Sequence, residues 1–291
     1  MRRSCSSRVG KNAGRVFPHP ARAAGVLLAA LAAGGCGTLS VPEEQQLADR
    51  FAIDAQRQFR FVRDEVVVGY VDRIGQRIVA AAGPQPFAYE FAVIDDAEIN
   101  AFAGPGGQIY VHTGTILGSR NVSELAAVIA HEVGHVVERH VAETYGKQKA
   151  ASMARRAAVL GGGLLYGGAG ATAASLATGV GSAAVLNSFG REAEREADDF
   201  AVQMLPRAGY DPRGLPSFFE TMIAQGGPNP PSFLSSHPTA GDRLALTRAA
   251  IEATPLPPGL RTDDDGRLEI IQRRIELLTG ESEPRRPGDR R

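Results

Sequence analysis

The sequence predicts an α+β fold, mainly helical, with a small antiparallel sheet beside one central helix. Three observations lead there. Residues 122–149 are helix-compatible throughout; Val122–Ala130 is apolar at helical spacing, and the stretch turns polar beyond Val136. Residues 89–94 (YEFAVI) and 108–112 (QIYVH) alternate as strands do, and the second run follows a Gly-Pro-Gly-Gly turn. Most of the remaining chain reads as helix: one or two amphipathic helices over 42–82, then segments at 191–205, 212–223, 239–253 and 268–278.

The central helix carries the chemistry. Its residues His131-Glu132-Val133-Gly134-His135 form an HExxH pattern. Positions i and i+4 share a helix face, so both imidazoles project the same way and can hold one Zn²⁺. Glu132, between them, sits where it can take a proton from the attacking water. Ser123 is a candidate N-cap for this helix. The site needs a third protein ligand. His140 comes five residues after His135 with no intervening glycine, so on a continuous helix it points off the ligand face and reads as a surface residue. The run Arg191-Glu192-Ala193-Glu194-Arg195-Glu196-Ala197-Asp198-Asp199 is the better source. Glu194 and Asp198 lie four apart and share a face: one carboxylate for the metal, and one a turn further on to orient a ligating histidine.

This ordered set resembles peptidase family M48, a group of gluzincin metalloproteases. The resemblance rests on HEVGH, on Glu194-Arg195-Glu196-Ala197-Asp198 as the family's ExxAD, and on Asn100-Ala101-Phe102-Ala103 with Pro105-Gly106-Gly107, Ile109 and Thr113-Gly114. Downstream, Ser236-His237-Pro238 with Arg243 resembles an SHP…R element. The matches cover roughly residues 45–250. The resemblance implies a zincin-like metalloprotease domain with one Zn²⁺ per chain. In it His131, His135 and Glu194 are the metal ligands, Glu132 is the catalytic base and Asp198 the orienting carboxylate. His237 then has three open readings: an oxyanion donor beside Glu132, an additional zinc ligand that closes the site until substrate displaces it, or a structural residue. Arg191 receives no role. The sheet edge offers a place for an extended peptide to add as a strand.

The N-terminus sets the expected compartment. Arg2, Arg3, Arg8, Lys11, Arg15 and Arg22 form a basic region without an acid, and Val26–Ala33 follows as a short apolar stretch. Ala33-Gly34-Gly35-Cys36 resembles a bacterial lipobox, so Cys36 is the expected lipidation site and the protein is expected in the periplasm, anchored to the outer membrane. The resulting organisation is a signal peptide at 1–35, a metalloprotease domain at 36–255, and a C-terminal helix with a disordered tail at 256–291. Cys5 falls within the leader, leaving no cysteine pair for a disulfide. Beyond the leader, 26 basic residues face 32 acidic ones, and no basic patch points to a nucleic-acid partner.

The uncharged Ala157–Gly190 stretch reads as a glycine-hinged pair of helices forming a lid beside the site, with a membrane span as the alternative. Asp263-Asp264-Asp265-Gly266 reads as a turn rather than a calcium loop. Two functions from different classes follow. One is a zinc endopeptidase of the cell envelope acting on misfolded or unassembled proteins. The other is a metal-binding chaperone or scaffold for envelope assembly, with gated or minor proteolysis.

Overall fold

The computed structural model describes residues 38–166, 189–225, 233, 237 and 240–280; side chains of 155–166 and 240–241 are not described. The expected signal peptide and Cys36, most of the 157–190 stretch, the bulk of the 226–238 loop and the 281–291 segment lie outside these residues.

Helix α1 (Val41–Gln58) opens with a capping box: Ser40 accepts from the Glu43 amide, and the Glu43 carboxylate accepts from the Ser40 amide. Helix α2 (Glu65–Ala82) is capped by Asp64, whose carboxylate accepts from the Val66 and Val67 amides. Its Val67, Val71, Ile74 and Ile78 recur at helical spacing and are buried, which makes this face part of the core.

Three strands follow: β1 (Glu90–Ile94), β2 (Ala101–Ala103) and β3 (Gln108–His112), in the spatial order β1-β3-β2. The sheet is mixed. Runs 89–94 and 108–112 are strands as expected, but they pair parallel, with Phe91 opposite Ile109, and not antiparallel. The antiparallel partner of β3 is the short β2, with Phe102 opposite Tyr110. The physical reason lies in the connection. Residues 95–107 cross over and lay β2 down first, so the 104–107 turn joins β2 to β3 and leaves the outer side of β3 for β1. Gly106 and Gly107 both have positive φ there, and a Cβ on Gly106 would stand 2.6 Å from that of Ala48.

Helix α3 (Thr113–Gly118) leads into the central helix α4 (Val122–Val137), whose residues are almost all buried. Its N-cap is Asn121, which accepts from the Glu124 amide. Ser123 lies two residues further on, within the first turn, and its hydroxyl donates to Asn121 Oδ1. Helix α5 (His140–Tyr166) begins directly after a break, so the first ten residues of the uncharged stretch have helical backbone. Helices α6 (Arg191–Arg207), α7 (Gly214–Gln225), α8 (Ala240–Glu252) and α9 (Arg267–Thr279) complete the described chain. Helix α4 packs against both α6 and α7, with α2 and the sheet on its other sides. Ile271 and Ile275 of α9 join the same core, and Arg274 of α9 pairs with Asp64. Among the described residues no helix is long and apolar enough to cross a membrane.

Candidate metal centre

Two helices supply the centre. Gly134 of α4 meets Ala197 of α6 backbone to backbone; a Cβ on Gly134 would stand 3.1 Å from both the Cα and the carbonyl oxygen of Ala197. This close approach brings the His131/His135 face of α4 against the Glu194/Asp198 face of α6. The pairing expected from sequence spacing is therefore the one the helices make.

The donor atoms converge. His135 Nε2 lies 3.0 Å from His131 Nε2, and His237 Nδ1 lies 3.2 Å from His131 Nε2. Glu194 stands 3.5 Å from each of the two helix histidines and 3.0 Å from His237 Nδ1. All four side chains are buried. A tetrahedral ion with bonds of about 2.0–2.1 Å places its ligands roughly 3.3–3.4 Å apart, so these separations have the size of tetrahedral edges. His131, His135, Glu194 and His237 thus form a group able to hold a metal ion. A second group, Asp96, Glu98 and His112, also has its donor atoms within reach of one another, but its two acids are exposed to water.

Electrostatics point the same way. Burial would raise the Glu194 carboxyl, but the charge and hydrogen bond of His237 and the hydrogen bond of His131 outweigh it and hold it well below the usual carboxylate range. Asp198 is also held low: burial opposes, and the hydrogen bonds from Arg243 and His131 win. Burial pushes the His135 pKa well down, helped by the charge of His131. His131 moves the other way, because its bonds to Asp198 and Glu194 overcome burial and the Arg243 charge. By formal count the buried carboxylates of Glu194 and Asp198 face one guanidinium, Arg243, and a bound cation would offset the excess.

Each ligand candidate has a supporting partner. His131 Nδ1 bonds Asp198 Oδ1 at 2.9 Å, leaving Nε2 for the cluster. Arg243 donates from Nε and Nη2 to Asp198 at 2.7 Å each, and its Nη1 stands 2.8 Å from Glu194. Phe189 stacks on the His135 ring at 4.0 Å, and Phe233 on His237 at 4.6 Å.

Glu132 is buried, and neither of its carboxylate oxygens has a hydrogen-bond partner among the described residues. Burial, opposed by the His237 charge, raises its pKa to about 7. The nearest His237 nitrogen, Nε2, is 3.4 Å away. His237 therefore touches both the cluster and the carboxylate, as two of its three readings require.

His140 departs from expectation. It is not at the surface but 3% exposed, with Nδ1 at 3.0 Å from His135 Nδ1 and Nε2 at 2.8 Å from Glu196. The helix is not continuous: Arg139 adopts φ 61°, and the break swings His140 back toward the centre. Arg139 is held there by Glu44 and the Leu39 carbonyl, both at 2.7 Å. Sequence spacing also missed Phe189, Phe233 and Glu196. The aromatic residues have no periodic signal, and Glu196 reads as a solvated charge.

An HExxH helix facing a glutamate-bearing second helix is the layout of a gluzincin-type metallopeptidase. Comparison with known proteins makes the assignment narrower. The model of "Peptidase family M48" matches residues 67–251, and the chain belongs to that family. The beta-barrel assembly-enhancing protease of Escherichia coli (strain K12) is 33% identical over 215 residues, covering 72% of this chain and 44% of that protein. The putative beta-barrel assembly-enhancing protease of Vibrio cholerae is 35% identical, with the same coverage. The mitochondrial metalloendopeptidase OMA1 of Schizosaccharomyces pombe is 33% identical over 183 residues, 60% of this chain and 50% of that one. The chain spans less than half the length of the two bacterial relatives.

Proposed function

We propose that this chain is a zinc-dependent endopeptidase of the bacterial cell envelope that cleaves misfolded or unassembled proteins. The observation that carries the reading is the convergence of four donor atoms at 3.0–3.5 Å beside the buried Glu132 carboxylate, whose oxygens have no hydrogen-bond partner among the described residues. His131, His135 and Glu194 are the protein ligands, and Asp198 orients His131. When bound, zinc lowers the pKa of a water and polarises the scissile carbonyl. Glu132 takes the proton of the attacking water and returns it to the leaving amine. Strand β2, at the sheet edge and packed against α4, offers backbone groups to an extended substrate.

A second reading has its own support. His237 Nδ1 already lies among the ligand atoms, so it serves as a fourth ligand that closes the site until substrate displaces it. A site closed at rest fits an envelope-assembly chaperone or scaffold with gated proteolysis. The envelope location rests on the basic leader, the lipobox-like Cys36 and the names of the bacterial relatives.

Glu132→Gln separates the two. With zinc retained, the endopeptidase reading expects casein cleavage to fall by roughly 10²–10⁴-fold, the usual share of a general base. Cleavage unchanged in the variant would sink it. So would a wild-type protein that cleaves nothing while Glu132→Gln keeps full cellular function.

A further inference from the structure

His131 and His135 are held by different devices. His131 has a carboxylate, Asp198, on the ring nitrogen that faces away from the cluster. His135 has another histidine there. The tautomers of this pair are determined from the outside inward. Glu196 Oε2 lies 2.8 Å from His140 Nε2, and a carboxylate oxygen accepts, so His140 Nε2 is the donor of that bond. His140 Nδ1 then carries a lone pair. It lies 3.0 Å from His135 Nδ1, which must be the donor. The His135 proton is thereby placed on Nδ1, and its Nε2 lone pair faces His131 Nε2 and Glu194. The opposite tautomer of His140 would set two N–H groups against each other or strip His135 Nε2 of its lone pair.

The backbone is built to deliver this contact. Five residues along an unbroken helix would rotate His140 roughly 140° away from His135. The left-handed Arg139 removes that offset. This conformation is unfavourable for a non-glycine residue, and the Glu44 and Leu39 contacts to Arg139 hold it in place. Phe189 covers one face of the His135 ring, which leaves rotation as the freedom that His140 restrains.

We infer that His140, held by Glu196, is a positioning residue that fixes the tautomer and ring orientation of His135 for metal binding. The inference rests on the metal reading above. Zinc affinity of the purified full chain, measured by chelator competition, tests it together with Co²⁺ absorption spectra. His140→Ala is expected to weaken zinc binding ~10–100-fold, as loss of an outer partner of a ligating histidine does. His140→Asn keeps an acceptor oxygen where Nδ1 stood and is expected to recover most of that loss. Glu196→Ala is expected to weaken binding by roughly several-fold, because water replaces part of an exposed carboxylate. Affinity within about twofold of wild type in a folded His140→Ala protein overturns the inference. Should that variant not fold, equal affinity of Glu196→Ala and wild type overturns it. An Asn variant that is folded yet as weak as Ala assigns His140 to packing and overturns it too. A wild-type chain that takes up no zinc overturns the metal reading itself, a result distinct from all of these.

Discussion

Arg243→Ala tests the electrostatic frame of the centre. Arg243 is 2% exposed and donates to both Asp198 oxygens while standing 2.8 Å from Glu194; its guanidinium also lies over the Phe219 ring at 4.6 Å. Removing it strands two buried carboxylates opposite no guanidinium. Breaking a buried ion pair from one side costs about 3–5 kcal/mol. A domain of this kind has about 5–15 kcal/mol in total, so the variant is expected to lose a large part of its stability. At about 2–4 °C per kcal/mol the melting temperature falls roughly 6–20 °C. Arg243→Lys is expected to fall between, since an ammonium cannot span Asp198 and Glu194 together. The sign of the pH dependence follows from Asp198, whose pKa is lowered on folding. Such a carboxylate contributes stability above its unfolded pKa and loses it as pH falls through the folded value. The gap between wild type and variant is therefore widest near neutral pH and narrows below about pH 4. Zinc in excess also narrows it by neutralising Glu194. Urea denaturation in chelator, repeated with zinc and at low pH, measures each term. A loss below about 1 kcal/mol at pH 7 in chelator would refute the argument.

Three further outcomes are expected. Gly214→Ala puts a Cβ 2.2 Å from the Ser123 carbonyl oxygen at the start of α4; helix backbone cannot yield there, so thermal unfolding should show a loss of ~1–3 kcal/mol or more. Glu44→Ala removes the acceptor of both the Gly106 amide and Arg139; an expected loss of ~1–3 kcal/mol should come with weaker zinc binding, through release of the Arg139 break and displacement of His140. Chelator treatment of the zinc-loaded wild type should abolish cleavage and lower the melting temperature, by about 2.7 kcal/mol of stability for zinc at a hundredfold its Kd; equal melting curves with and without chelator would contradict a bound ion.

Much of the centre was legible because its geometry is local. An i, i+4 spacing places His131 beside His135, and Glu194 beside Asp198, on any α-helix that carries them. Polar residues in an otherwise apolar helix marked which face mattered. The strands at 90–94 and 108–112 were equally plain from alternation, but their relative direction was not. Direction depends on which neighbour the crossover lays down first, and β2 at 101–103 is too short for a periodic signal.

The remaining contacts depend on long-range packing, because their partners are far apart in the chain. His237 reaches His131 across 106 residues, and Arg243 reaches Asp198 across 45. His140 is the clearest instance. Spacing alone assigned it to the surface, on the premise of a continuous helix. A contact between Arg139 and Glu44, 95 residues earlier in the chain, broke that helix and turned His140 inward. Spacing along the chain specifies which side chains share a helix face; the packing of α1, α4 and α6 specifies which faces meet, because that depends on burial summed over the whole core.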